Sequence, residues 1–200
     1  MDEEFETFIE RMRACRICAE ADPPLPRAPN PVFQLDPRAR ILIAGQAPGN
    51  LADVTARPFN DPSGERLREW LGVDAETFYD PAAFAILPMG LCFPGYAKAG
   101  GDLPPRKECA PAWRRDVFER LPNLKTRILI GGYAQKWHLE KAYGGNVTRT
   151  VENWRAFAPD IFPVPHPSWR NNAWLKTHTW FESELLPHLK IAVKSALSSP

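Results

Sequence analysis

Four short apolar segments, each closed by a glycine or a proline, constrain this fold more than any other feature of the sequence. They span residues 40–45, 84–87, 127–130 and 161–164. Runs of this length without polar alternation are typical of strands that are buried on both faces. The sequence therefore predicts four buried strands.

Amphipathic segments separate these strands. Strands that alternate with helices indicate βαβ units with helices on both faces of the sheet. We therefore predict an α/β fold, a three-layer α/β/α arrangement around a central four-stranded, mainly parallel sheet. Loops are predicted after the first strand, around Pro48, Gly49 and Pro58, and over residues 93–107. Helices are predicted over residues 2–16, 63–71, 74–78, 109–121, 133–141, 148–157 and 172–197, the last interrupted near Pro187.

Composition excludes several classes of protein. With 44% hydrophobic and 24% charged residues the chain is too apolar to be disordered. It has no apolar run long enough to span a membrane, and its acidic N-terminus lacks a signal peptide, so the cytoplasm is the expected location. Two hundred residues fit one domain over 1–200, and we expect a monomer.

Proline and charge are unevenly distributed. Of the 22 prolines, six fall within residues 19–38 and predict an irregular arm. This arm and the N-terminal helix together make up residues 1–39.

The net charge is +1, but residues 125–180 carry 8 Lys and Arg against 3 Asp and Glu. This excess indicates either one electropositive face or random scatter.

Two loops carry the candidate site residues. Residues 45–49 follow the first strand and residues 166–171 follow the fourth, and carboxyl ends of parallel strands share one ligand-binding edge. Gly45 and Gly49 permit close backbone approach to a ligand, or form a plain turn. Pro165 and Pro167 restrict the backbone around His166 and so fix its imidazole.

The residues after this histidine have two interpretations. Trp169 next to Arg170 suits a wedge in a base stack beside a phosphate contact. Alternatively, Asn171 or Asn172 caps a helix and Trp169 packs in the core.

The chain contains four cysteines, Cys15, Cys18, Cys92 and Cys109. Four thiolates suit one tetrahedral zinc ion or one [4Fe–4S] cluster, and the alternative is a set of unliganded buried thiols. Only one C-x2-C pair is present, which disfavours a zinc ribbon.

Together these features resemble the uracil-DNA glycosylase superfamily, most closely its iron–sulfur (family 4-like) branch, over nearly the whole chain. The first-strand motif of that branch, G-E-[GA]-P-G, resembles residues 45–49, followed by Asp53, Thr55 and the Pro58-Phe59 pair. The second motif, His-Pro-Ser, is similar to residues 166–168. The cysteines match the cluster ligands in order and approximate spacing, and so imply [4Fe–4S] rather than zinc.

The resemblance implies a DNA partner carrying a damaged base, and a role for each matched residue. His166 donates a hydrogen bond to the departing base, and the backbone at Gln46 lines the pocket and holds the attacking water. Phe59 stacks on the flipped base beside Ala47. Contacts to DNA are implied for Pro48, Gly49, Ser168, Trp169, Arg170 and Asn171.

Three residues depart from the family pattern. Gln46 replaces a Glu, and its neutral amide cannot act as a general base. Ala47 stands where other branches place Asp or Asn, and Pro88 stands where the family has a base-reading Asn. Without that amide the pocket should discriminate poorly between uracil and cytosine, with the backbone at Met89 or Gly90 as the nearest replacement.

Three functions follow as hypotheses. The first is a base-excision glycosylase that acts on uracil or another deaminated base. The second is a catalytically weak or inactive binder of DNA lesions on the same scaffold. The third is a redox-sensing or structural iron–sulfur protein without a nucleic-acid role.

Overall fold

The computed structural model describes residues 3–98 and 100–198. Its sheet has four strands in the order β2-β1-β3-β4, and every pairing is parallel. The strands are β1 (Ile41–Ala44), β2 (Phe84–Ile86), β3 (Thr126–Ile130) and β4 (Ile161–Val164). The four strands predicted from the apolar segments are therefore confirmed.

Helices cover both faces of this sheet, as the predicted three-layer fold requires. They are α1 (Glu3–Arg13), α2 (Asn50–Thr55), α3 (Pro62–Leu71), α4 (Ala75–Phe78), α5 (Cys109–Glu119), α6 (Gly131–Leu139), α7 (Val147–Glu152), α8 (Asn172–Thr177) and α9 (Leu186–Ser198). No described helix combines the length and apolarity that crossing a bilayer would require.

Alternate residues of β1 feed two separate cores. Ile41 and Ile43 pack with α3, α4 and α9 on one face of the sheet. Leu42 and Ala44 pack with α1, α5 and α6 on the other face. Each fully buried aliphatic side chain contributes about 1.5–3 kcal/mol to folding, so this double burial fixes the strand's position.

Three predictions about helices were wrong: one helix was missed, one ends early, and one breaks at a different place. Residues 50–55, predicted as loop, form α2, which starts after Gly49 and ends at the left-handed Ala56. The helix predicted over 148–157 stops at Glu152 and continues as a 3-10 turn over Trp154–Ala156.

The last helical segment breaks at residues 178–179 rather than near Pro187. A π-helical turn over Phe181–Leu185 then leads directly into α9. Pro187 directly follows this π-helical turn and, having no backbone N–H, removes one intrahelical hydrogen bond there without ending the helix.

The proline-rich arm is fastened to the sheet edge and to α2. Gln34 and Ile86 exchange two backbone hydrogen bonds of 2.9 and 2.7 Å in an isolated antiparallel bridge. Arg27 forms a 3.0 Å ion pair with the buried carboxylate of Asp53. The side chain of Asn30 donates to the carbonyl oxygen of Asp53 at 2.7 Å. The arm therefore positions α2, which follows the first candidate loop.

Candidate active site

The two candidate loops line one cavity of about 70 Å³ at the carboxyl edge of the sheet. Residues 45–49 approach it from β1, Pro88 from β2 and His166 from β4. Phe59, on the turn between α2 and α3, lines the same cavity. The structure thus brings together the imidazole and the aromatic ring that the sequence placed in one site.

The imidazole of His166 is held in one tautomer. The backbone N–H of Ser168 donates to its Nδ1 at 3.2 Å, so the ring proton of the neutral form is on Nε2. Among the described residues, Nε2 has no hydrogen-bond partner. The side-chain amide of Asn171 donates to the carbonyl oxygen of His166 at 2.7 Å and steadies the loop.

Burial lowers the pKa of His166, since a charged imidazole would lose its hydration there. The nearby Asp61 carboxylate opposes this shift, and the Arg170 guanidinium reinforces it. The net effect favours the neutral ring at neutral pH. His166 therefore presents an uncharged N–H donor to the cavity.

Phe59 adopts a left-handed backbone conformation, with φ of 52°. This conformation is unfavourable for a bulky residue and persists only where neighbours enforce it. The hydroxyl of Tyr79 lies 3.1 and 3.0 Å from the carbonyl oxygens of Pro58 and Phe59. Gly64 lies so close that an added Cβ would be 1.8 Å from the Phe59 carbonyl oxygen.

Backbone hydrogen bonds from outside the cavity hold its floor, the part that Gly45 and Gln46 line. The N–H of Met89 donates to the Gly45 carbonyl, and that of Gly90 to the Gln46 carbonyl, both at 2.9 Å. These two N–H groups are therefore not free to read a base. The expectation that they replace the missing asparagine was wrong for the backbone donors.

A buried arginine bonds to the backbone beside this floor, at the part of the cavity that Pro88 lines. Arg114 donates to the carbonyl oxygens of Leu87 and Pro88 at 3.2 and 3.1 Å. Its second terminal nitrogen lies 2.6 Å from Nε2 of His138. Burial lowers the pKa of His138 to about 3, helped by the positive charge of Arg114. The histidine is therefore neutral and accepts this hydrogen bond.

The side-chain amide of Gln46 is engaged by the protein backbone. Its amide nitrogen donates to the Leu103 carbonyl oxygen at 2.9 Å. Gln46 therefore fastens the loop that precedes α5 to the first motif. Ala47 lines the cavity but offers no polar side-chain group.

A groove of about 650 Å³ leads into the cavity and shares part of its lining. Trp169 and Tyr96 line this groove, and they expose 72% and 62% of their surfaces. The alternative that Trp169 is a core residue is thereby contradicted, and Asn171 does not cap α8 through its side chain. Arg170 lies beside this tryptophan and packs close to Gly101.

The family model for the uracil DNA glycosylase superfamily matches residues 32–190, most of the chain. The chain belongs to this superfamily. The match covers the four strands and both candidate loops, and so includes the cavity and the groove.

In this superfamily member the four predicted ligand cysteines are free thiols. Burial, together with the charges of Cys109, Cys18 and Cys15, raises the pKa of Cys92 to about 12. Burial also raises the pKa of Cys109 to about 11, with Cys15 and Cys18 adding to the shift. All four thiols therefore lie within electrostatic reach of one another.

The arrangement is not that of a single-ion site. Within residues 3–98 and 100–198 no three His, Cys, Asp or Glu side chains are grouped to hold one metal ion. The Leu91 N–H donates to Sγ of Cys109 at 3.3 Å, a bond that favours a thiolate. Cys18, Cys92 and Cys109 are buried, Cys15 is half-buried, and four thiols are a donor set that an iron–sulfur cluster or a zinc ion can use.

Sequence reasoning missed four residues that line this region of the glycosylase fold. They are Asp61, Arg66, Tyr96 and Asp102. Asp61 carries a usable signal, because Asp followed by Pro and a helical pattern marks an N-cap, and its carboxylate accepts from the Gly64 N–H at 2.9 Å. The other three carry no local signal, since only tertiary contacts bring them to the cavity and the groove.

Proposed function

We propose that the protein is a DNA glycosylase that hydrolyses the N-glycosidic bond of a flipped uracil or another deaminated base. The observation that carries this proposal is the neutral His166, whose Nε2–H is free in the cavity that Phe59 also lines. Superfamily membership supports the reaction class, and the site geometry supports the roles of these two residues.

A base inside a duplex is out of reach, so the nucleotide must rotate into the cavity before cleavage. The ring of Phe59 then stacks on the base. As the C1′–N bond breaks, negative charge develops on the base, and the N–H of His166 stabilises it. One such donor is worth about 10²–10³ in rate.

The groove accounts for binding of the surrounding DNA. Its exposed Trp169 fills the space that the rotated nucleotide leaves, and Arg170 meets a phosphate. Pro48, Gly49 and Ser168 are placed near the backbone beside the lesion. Asn171 acts through His166, because its amide is already bonded to that residue's carbonyl.

The test uses oligonucleotides that carry uracil, hypoxanthine or xanthine, single-stranded and paired, followed by alkali. We expect strand breaks at uracil, because the cavity offers an N–H donor and a stacking ring. Oligonucleotides with cytosine at the same position measure discrimination, which should be weak because Pro88 offers no amide. Absence of breaks at all three lesions would contradict the proposal.

One observation favours a second function, a lesion binder without turnover. The first motif presents no acid, because Gln46 is tied to Leu103 and Ala47 has no polar group. This alternative predicts salt-dependent binding of lesion-containing DNA with no released base. The same oligonucleotides, followed by a binding assay, separate the two functions.

We also propose that Cys15, Cys18, Cys92 and Cys109 hold a [4Fe–4S] cluster. When bound, the cluster would neutralise the four thiolates and tie the N-terminal segment at residues 15–18 to Cys92 and Cys109. Its ligands would place residues 88–92, and with them the cavity floor, at a fixed distance from the arm.

The cluster proposal predicts a brown protein after anaerobic purification, with about four irons per chain. Cys92→Ser should lose the colour and lower the midpoint of thermal unfolding, since the cross-link that the cluster makes between residues 15–18 and the segment around Cys92 would be lost. Metal analysis is the measurement. Stoichiometric zinc, or a colourless protein whose stability the substitution leaves unchanged, would refute the cluster.

A further inference from the structure

Two carboxylates line the cavity although the first motif offers none. They belong to Asp61, before α3, and Asp102, on the loop between β2 and α5. Resting on the proposed glycosylase function, we propose that Asp102 is the catalytic carboxylate, which receives the proton of the attacking water and stabilises the cationic sugar.

Hydrogen bonds hold the loop that carries Asp102 next to the first motif. Backbone hydrogen bonds close the loop between Tyr96 and Asp102, with Leu103 N–H donating to the Gly95 carbonyl at 2.8 Å. The Gln46 amide donates to the Leu103 carbonyl at 2.9 Å, directly after Asp102 in the chain. Gln46, which stands where the family has a glutamate, therefore anchors the loop that carries the Asp102 carboxylate.

The carboxylate of Asp102 lies over the first motif. An added Cβ at Gly49 would lie 3.8 Å from its Oδ2. The backbone of residues 46–49, which includes Gly49, is where the superfamily resemblance places the attacking water. The Asp102 carboxylate therefore lies close to the place where the attacking water would be held.

Asp61 is less suited to this role, because its Oδ1 accepts the Gly64 N–H and caps α3. By contrast, within the described part of the chain no group donates a hydrogen bond or forms an ion pair to the Asp102 carboxylate. Partial burial raises the pKa of Asp102, the Arg170 guanidinium opposes the shift, and the charge of Asp61 adds to it. A raised pKa makes the carboxylate a stronger base.

The reaction balances with water as the only co-reactant. The C1′–N bond breaks, and its electron pair leaves with the base, whose oxygen accepts the hydrogen bond from His166. The oxygen of water forms a bond to C1′, and one of its protons passes to the Asp102 carboxylate. That proton then leaves to solvent or to the anionic base, which restores the enzyme.

The experiment compares the wild type with Asp102→Asn and Asp102→Glu in two assays. Asp116→Asn is the matched control, because that exposed carboxylate on α5 is outside the site and pairs weakly with Arg115 at 3.8 Å. The first assay is single-turnover excision of uracil across pH. The second compares binding of DNA with a positively charged pyrrolidine abasic analogue and of DNA with neutral tetrahydrofuran.

We expect Asp102→Asn to slow excision about 10²-fold. The acidic limb of the wild-type profile should disappear, because protonation of Asp102 removes the base as pH falls through its raised pKa. Arg170 and Asp61 act on this carboxylate and set the position of the limb, and His166 lines the same cavity. Asp102→Glu should recover part of the rate, and Asp116→Asn should match the wild type.

The binding assay separates this inference from the proposed function. A wild type that prefers the cationic analogue, and loses the preference with Asp102→Asn, supports the role of Asp102 even if no base is released. A variant that keeps the wild-type rate and pH profile overturns it, although glycosylase activity stands. A wild type with neither excision nor cation preference also overturns it.

Discussion

His166→Ala is expected to slow uracil excision by about 10²–10³-fold, because the substitution removes the N–H donor that meets the developing negative charge. The backbone should be preserved, since the flanking prolines fix it. Single-turnover excision is the measurement, and circular dichroism checks the fold. His188→Ala, on an exposed position of α9, is the matched control and should leave the rate unchanged.

The pH dependence of this donor follows from its environment. Burial lowers the pKa of His166 below its ordinary value, so the neutral ring persists as pH falls past about 6.5, where a free histidine would titrate. The wild-type rate should therefore show no inflection near that pH.

Retention of more than a tenth of the wild-type rate in His166→Ala would contradict the role of His166 as the N–H donor to the departing base.

Gly64→Ala is expected to destabilise the protein and to weaken DNA binding, although Gly64 has no side chain that takes part in the reaction. The added methyl would lie 1.8 Å from the Phe59 carbonyl oxygen and 2.7 Å from its carbonyl carbon, so the turn must shift. Such overpacking costs about 1–3 kcal/mol of folding free energy. The shift also moves the stacking ring and loosens the cap that Asp61 places on α3.

Urea unfolding and binding of uracil-containing DNA measure the two effects. Gly132→Ala is the matched control, since its nearest contact would be an ordinary 3.4 Å to the Tyr143 hydroxyl. Wild-type stability together with wild-type binding in Gly64→Ala would show that the turn adapts without moving the ring.

The strands and the two motif loops were predictable because their signals are local. An apolar run closed by glycine, or a histidine bracketed by prolines, is visible within a few residues. The parallel sheet then brings the loops after β1 and β4 to one edge, as the topology requires.

Contacts between distant segments left no such signal. The bond from Gln46 to Leu103 joins residues 57 positions apart, and together with the backbone bonds that close the loop it holds Asp102 at the cavity. The short α2 was missed for a related reason: six residues carry little periodicity, and the arm's Arg27 holds the helix through Asp53.

The floor of the cavity depends on main-chain bonds from Met89 and Gly90 to Gly45 and Gln46. These bonds use no side-chain atoms, so substitution of neighbouring side chains leaves them in place. Under the proposed function, proteins with this fold can therefore exchange the groups that touch a nucleobase and keep the same hollow.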